Sequence, residues 1–456
     1  MQDRRNFLKS VAMASVGVAL APGEIIGKES GTAVPTEGAL PLAPENSSET
    51  PAFDANDPVA NKIRQARYVA APSRVKAASL GILHYSDIHG DDVAVKRLHE
   101  VMDKYGSYID ASINTGDAVL YYAEGTKEYP EGTSWWLSTG LPERSLFVLG
   151  NHDSALKSND HGHLEGSADW DYFGKQWDFD TYFAKYADKL GYVFPNGYDK
   201  PSSPYYKACF WHKDFTEAKI RLLGLDCMHF NDGLRYLTSE QESWLSARLA
   251  DTLDPKNPAY GYSVIVATHY PLDDLDGDNE VWDESKHRFV YNQSPKGGRV
   301  MNHRTGDASI FHTPVTVSYV ANKRFSLRTR VAAPTEQYGY VSGPRNPLAD
   351  IVQSWVDKGV KFVVWLTGHC HNDMLYYPAK YPGLLCISVD QAGNIRGNSI
   401  TEREEDMESR FCANYYSIDT QNGLFKIVRL GLSMSRFMVR KDVLCYDYIN
   451  KKVIFE

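Results

Sequence analysis

Leu80-Gly81-Ile82-Leu83-His84-Tyr85-Ser86-Asp87-Ile88-His89 is the stretch that decides how this chain folds. Leu80 to Tyr85 is an apolar run of strand length, and it stops at two polar residues of metal-ligand type, Asp87 and His89. Residues i and i+2 of an extended segment point to the same side, so an extended reading aims a carboxylate and an imidazole at one point. Alone, this tripeptide reads as a capped turn or a core histidine. Its recurrence elsewhere changes the reading.

Working outward, Ala111 to Thr115 is again a short apolar run, followed by Gly116-Asp117. Leu146 to Leu149 runs into Gly150-Asn151-His152-Asp153, Val264 to Ala267 into His269, and Phe362 to Leu366 into Gly368-His369-Cys370-His371. Between these runs lie helical patterns: Val93 to Tyr105, a helix opened by the capping box Ser239-Glu240-Gln241-Glu242, and Pro347 to Val356. Strands alternating with helices predict an α/β core, in which ligands gather at the carboxyl ends of strands. All five motifs stand at such ends. From about residue 384 the texture changes to alternating strands with turns such as Gln421-Asn422-Gly423.

The motifs supply seven oxygen and nitrogen donors: Asp87, His89, Asp117, Asn151, His269, His369 and His371. That is enough for two adjacent cations sharing a carboxylate, a type of site that makes a hydroxide nucleophile at neutral pH. Asp117, straight after a glycine, is the candidate for the shared carboxylate. His152 projects away from its neighbour Asn151 and suits a general acid at a leaving oxygen. Asp153 reads as a residue that orients this loop or caps the segment after it. Mixed nitrogen and oxygen ligation suits two divalent or mixed-valence transition metals, Mn, Fe, Zn or Ni.

In this order, D-x-H, G-D, G-N-H-[DE], H and G-H-x-H, the motifs resemble the calcineurin-like metallophosphoesterase superfamily over roughly residues 78–375. The resemblance implies a four-layer α/β/β/α sandwich with a dinuclear site at the carboxyl ends of its strands. It implies that Asp87, His89 and His371 hold one metal, that Asn151, His269 and His369 hold the other, that Asp117 bridges and that His152 sits by the leaving group. The reaction implied is phosphoester hydrolysis by a metal-bridging hydroxide, with a slight lean to diesters. Alternatives are a phosphomonoesterase or pyrophosphate-bond hydrolase, or a catalytically silent metal-binding scaffold.

Departures narrow the group. Purple acid phosphatases carry a tyrosine ligand three residues after the bridging aspartate, where this chain has Leu120. Protein serine/threonine phosphatases have a further Asp and an Arg soon after G-D, absent from Ala118-Val119-Leu120. The residues after His371 are too few for the substrate domain of the superfamily's nucleotidases.

Composition fits a soluble globular protein: 43% of residues are hydrophobic and 23% charged, enough apolar material for a large core. A net charge of −9 without a long basic run disfavours nucleic acid as partner and leaves a small-molecule, lipid or nucleotide phosphoester. Six cysteines without C-x-x-C spacing exclude thiolate zinc ribbons and read mainly as buried thiols.

Residues 1–21 read as a signal peptide: Arg4-Arg5-Asn6-Phe7-Leu8-Lys9, a weakly apolar stretch from Val11, then Ala19-Leu20-Ala21. The apolar stretch is too short for a membrane span. The paired arginines resemble a twin-arginine signal and predict export to the periplasm or beyond. Residues 22–66 read as a flexible linker and 67–456 as the enzyme domain. Within it, 272–345 is an insertion expected to shape the substrate site as a lid, and 376–456 a β-rich extension. Tyr122, Trp135, His161 and Arg288 are candidate substrate contacts.

Overall fold

The computed structural model describes residues 56–71, 74–77, 80–118, 135–150, 153, 163–164, 179–200, 202–203, 208–227, 229–231, 234–237, 239–270, 280–283, 288–291, 299–302, 327–329, 347–369, 374–377, 384–393, 411–431 and 444–455. The fold is an α/β sandwich built on two seven-stranded sheets. Their strands in chain order are β1 (Leu80–Tyr85), β2 (Ala111–Asn114), β3 (Ser145–Phe147), β4 (Trp211–Phe215), β5 (Ile220–Gly224), β6 (Ser263–Ala267) and β7 (Arg299–Asn302). Next come β8 (Lys361–Thr367), β9 (Met374–Tyr377), β10 (Cys386–Ser388), β11 (Cys412–Asp419), β12 (Leu424–Gly431), β13 (Leu444–Asp447) and β14 (Lys452–Phe455).

The first sheet runs β14-β13-β12-β11-β1-β2-β3, with β1, β2 and β3 parallel and the rest antiparallel. The second runs β7-β9-β10-β8-β6-β5-β4, with β5, β6, β8 and β10 parallel. Parallel strands are covered on both faces and therefore read as continuous apolar runs. Val264, Ile265, Val266 and Ala267 of β6 are fully buried. Each such Val or Ile contributes roughly 1.5–3 kcal/mol by leaving water. One apolar cluster joins residues of both sheets, among them Ile82, Ile113, Val264 and Leu366. At the sheet edges, the Trp211 indole N–H of β4 donates to the Phe147 carbonyl of β3 across 2.9 Å.

Helices pack on each sheet. The helix α1 (Pro58–Arg67) lies on β11 and β12, and α2 (Asp92–Lys104) buries Leu98 and Val101 in the same core. Further along are α3 (Phe179–Leu190), α4 (Ser239–Asp251) and α5 (Pro347–Asp357). Trp244 of α4 packs on Phe210 and His212 beside the second sheet.

Helix α1 corrects the linker boundary at residue 66: the folded region already includes Pro58–Arg67, with Ile63 and Ala66 fully buried. The Asp57 carboxylate caps the helix by accepting from the Ala60 N–H at 2.8 Å, and Pro58 occupies the first turn, where no N–H is needed. The C-terminal stretch is more than an extension, because β11 pairs with β1 along Leu80–His84 and completes the first sheet. The insertion contributes β7 to the edge of the second sheet, a hairpin of Glu280–Asp283 with Arg288–Tyr291, and a strand, Leu327–Thr329, parallel to Leu234–Leu237. Among the described residues no helix is long and apolar enough to cross a membrane.

Candidate metal centre

The loops after β1, β2, β6 and β8 meet at the carboxyl ends of both sets of parallel strands. Backbone hydrogen bonds stitch them together beyond the strands: Asp87 N–H to the Gly116 carbonyl at 2.9 Å, His89 N–H to Asp117 at 3.0 Å and Gly90 N–H to Ala118 at 3.1 Å. Across the second sheet, the Gly368 N–H donates to the His269 carbonyl at 3.0 Å.

Asp87 and His89 do not converge as alternating residues of an extended segment. Both are left-handed, with φ of 56° and 53°, as are Asp117 at 54° and His369 at 66°. Among the described non-glycine residues only Lys219 and Lys451 share this conformation. Such backbone costs on the order of 1–3 kcal/mol per residue and persists where its surroundings overdetermine it. Here the inter-loop ladder does so.

Two glycines make room. Gly116 has φ 106°, and a Cβ there would stand 2.5 Å from His269 Nδ1 and 2.7 Å from the Gly150 nitrogen. A Cβ on Gly368 would come within 2.6 Å of Asp87 Oδ2.

The donors form two groups that share one residue. Asp87, His89 and Asp117 make the first, and Asp117, His269 and His369 the second; within each, the ligand atoms lie within 4.8 Å of one another. His89 Nε2 is 3.5 Å from Asp87 Oδ1 and 3.8 Å from Asp117 Oδ2. The same Asp117 oxygen is 3.2 Å from His269 Nε2, which is in turn 3.2 Å from His369 Nδ1. All are buried except His369, which is half-buried.

Hydrogen bonds orient these ligands. Asp87 Oδ2 accepts the His369 backbone N–H at 2.9 Å, tying the two sheets together and turning Oδ1 toward His89. His269 Nδ1 lies 2.8 Å from the Thr115 carbonyl, which can only accept, so the proton sits on Nδ1 and Nε2 faces Asp117. The Tyr270 ring lies 4.0 Å from that of His369. Burial works against charging His269, but the Asp117 carboxylate beside it, with Asp87 and the Thr115 carbonyl, outweighs burial and pushes the imidazole up to about 9. A site that attracts a proton this strongly attracts a cation for the same reason.

Asp153 has a role its sequence position only hinted at. Its Oδ2 accepts from the Asp117 N–H at 2.7 Å and the Gly150 N–H at 2.8 Å, while Oδ1 accepts from the Ala118 N–H at 2.9 Å. The carboxylate thereby clamps the Asp117 loop to the third motif. The loop Asp390–Gly393 was not anticipated at all. Its Ala392 and Gly393 N–H groups donate to the carbonyls of Ser86 and Asp87 at 2.8 and 3.1 Å.

Asn151, His152 and His371, along with Tyr122 and His161, lie outside the described residues. Trp135 is half-buried and donates its indole N–H to Asp92 at 2.8 Å, in the first turn of the helix that comes after His89. Arg288 begins a strand of the insertion hairpin. Cys227, Cys386, Cys412 and Cys445 are buried, as apolar surroundings foretold.

The donor set fits the expected metals, since carboxylate and imidazole groups converge without a thiolate among the described residues. The fold and the site together fit a metal-dependent phosphoesterase. Residues 80–296 match the sequence model of the family Calcineurin-like phosphoesterase, which supports a hydrolase acting on phosphoesters. No curated protein matches in sequence. A solved dimetal phosphatase from Danio rerio is 9% identical with a TM-score of 0.42, covering 81% of this chain and 99% of its own. The calcineurin-like phosphoesterase YfkN from Bacillus subtilis is 11% identical with a TM-score of 0.27, covering 78% and 86%.

Proposed function

We propose that the chain hydrolyses a phosphoester at a two-metal centre held by Asp87, His89 and His371 on one side and Asn151, His269 and His369 on the other, with Asp117 between them. The observation that carries this reading is the position of Asp117 Oδ2, 3.8 Å from His89 Nε2 and 3.2 Å from His269 Nε2. When bound, two cations would supply Lewis acidity toward phosphoryl oxygens and acidify a water at neutral pH.

The chain's own residues do the rest. Asp87 and His269 are held in place by the His369 N–H and the Thr115 carbonyl. Asp153 fixes the loop that carries Asp117 through three backbone N–H groups. His152, beside Asn151, is proposed to protonate the departing oxygen. The preferred substrate is a phosphodiester of a small molecule, lipid or nucleotide, ahead of a phosphomonoester or pyrophosphate bond. Pocket walls select among these, and the 272–345 insertion is proposed to form part of them. Export through the Arg4-Arg5 signal is proposed with it; retention of an Arg4→Lys/Arg5→Lys variant in the cytoplasmic fraction is the check.

The test is a paired assay of nitrophenyl phosphomonoester and phosphodiester with Mn, Zn and Ni, on wild type, Asp87→Asn and His152→Ala. Metal analysis should find two equivalents in the wild type. Undiminished hydrolysis by both variants would sink the assigned roles.

A further inference from the structure

A row of buried polar side chains crosses the first sheet from its C-terminal strands to the metal centre. Arg429 on β12 donates through Nη1 to Asn414 Oδ1 on β11 at 2.9 Å, which fixes the amide's orientation. Asn414 Nδ2 then donates to the Tyr416 hydroxyl at 3.1 Å. That hydroxyl lies 2.9 Å from His84 Nδ1 on β1, and His84 Nε2 lies 2.9 Å from Thr115 Oγ1, just past β2. The strand register places these residues in one row: Asn414 pairs with both His84 and Arg429.

Protons along the row have one consistent direction. Tyr416 accepts from Asn414 and gives its own proton to His84 Nδ1. A neutral His84 then carries its proton on Nε2 and donates to Thr115. Burial, followed by the Arg429 charge, keeps His84 neutral by pushing it down to about 3. Thr115 is therefore held at three points. Its N–H donates to the Tyr85 carbonyl at 3.0 Å, its hydroxyl accepts from His84, and its carbonyl accepts from His269 Nδ1.

A network of this kind is expensive to bury unless every member is satisfied. A strand pair needs no such row to be stable, since apolar residues would fill the space equally well. Where the row ends says what it does. It stops at the carbonyl that sets the tautomer and ring angle of a metal ligand. Three of its members, Asn414, Tyr416 and Arg429, lie beyond the residues 80–296 that match the family.

We infer that His84 and Tyr416 are positioning residues for His269: through Thr115 they hold its imidazole with Nε2 presented to the metal of the His269/His369 half, so that the C-terminal strands tune that half alone. The inference rests on the two-metal reading of the site. Outer partners of ligating histidines typically change metal affinity about 10–100-fold. His84 stands one residue further out, so the lower end applies.

The experiment uses the full chain, freed of metal with a chelator and titrated with Co(II), following both the d–d absorption of each equivalent and the exchangeable imidazole N–H signals shifted by the ion. His84→Leu is expected to weaken one equivalent about tenfold and Tyr416→Phe by a smaller factor, the other equivalent staying at its wild-type affinity. One shifted N–H signal, from His269, should exchange faster with solvent in both variants. Tyr416→Phe keeps the ring against Phe425, 5.0 Å between centroids, and decides the matter if His84→Leu does not fold. Two unchanged affinities would overturn the inference, and so would two affinities lowered together, the mark of general loosening. A wild type that binds fewer than two equivalents would instead remove the two-metal reading beneath it.

Discussion

The two halves of the centre are built from different chemistry. The half on the first sheet gathers two carboxylates and one imidazole, all buried, on loops where Asp87, His89 and Asp117 take left-handed backbone. The half on the second sheet gathers two imidazoles around the same Asp117, one of them half-buried. Left-handed backbone is common to both halves, since His369 adopts it as well; what differs is that the first half stores negative charge and the second a proton, because His269 in the metal-free protein is pushed up to about 9. The contrast predicts a first half that takes its ion over a wide pH range and a second half whose ion must displace a proton.

Removing the residue common to both should have the largest effect. Asp117→Ala is expected to take bound metal from two equivalents to below one and to lower kcat/KM by about 10³-fold, about 4 kcal/mol of lost transition-state stabilisation. Metal analysis beside the phosphodiester assay checks it. Retention of one full equivalent would show that the halves are more independent than their geometry suggests.

Asp153→Asn tests the support of the shared Asp117. It replaces a charged acceptor of three N–H groups with an amide that presents one acceptor oxygen, and should cost about 2–3 kcal/mol of stability, read from urea unfolding. Metal affinity should fall in both halves, because Asp117 belongs to both.

Titrations at several pH values test the second half. Below about pH 9 its affinity should fall about tenfold per unit of acidification, since one proton is displaced per ion. Folding linkage has the opposite sign. Because the folded-state value lies above the ordinary 6.5, the stabilisation of the metal-free protein by protonated His269 is complete below 6.5 and is lost as pH rises through about 9. An affinity that does not vary with pH would erase the contrast.

The smallest effect concerns the support beneath the second half. His84 is pushed down to about 3 by burial and then by Arg429, so its contribution is present above its ordinary 6.5 and drains away as pH falls toward 3. In His84→Leu this part of the acid sensitivity should disappear from thermal melting curves recorded between those values.

Much of this was legible in the chain. Apolar runs ending at a glycine or a ligand marked β1, β2, β6 and β8 to within a residue or two, and ligand types at their ends marked where the loops would meet. The left-handed turns at Asp87 and His89 were not legible, because nothing local requires them; the backbone of another loop, near Gly116 and Asp117, imposes them. Helix α1 has a capping Asp57 and Pro58, yet its one large apolar anchor, Ile63, gives little periodicity in a polar stretch. The row through Tyr416 lies furthest from view, since His84 meets its partner across 332 residues. Only pairing of β11 with β1 brings the two together.

One carboxylate between two cation sites also has a thermodynamic consequence. Whatever factor by which occupancy of one half changes the affinity of the other, the reverse influence carries the same factor. To the extent that Asp117 couples the halves, occupancy of the first half would raise or lower by that same factor the affinity with which the second competes against its proton.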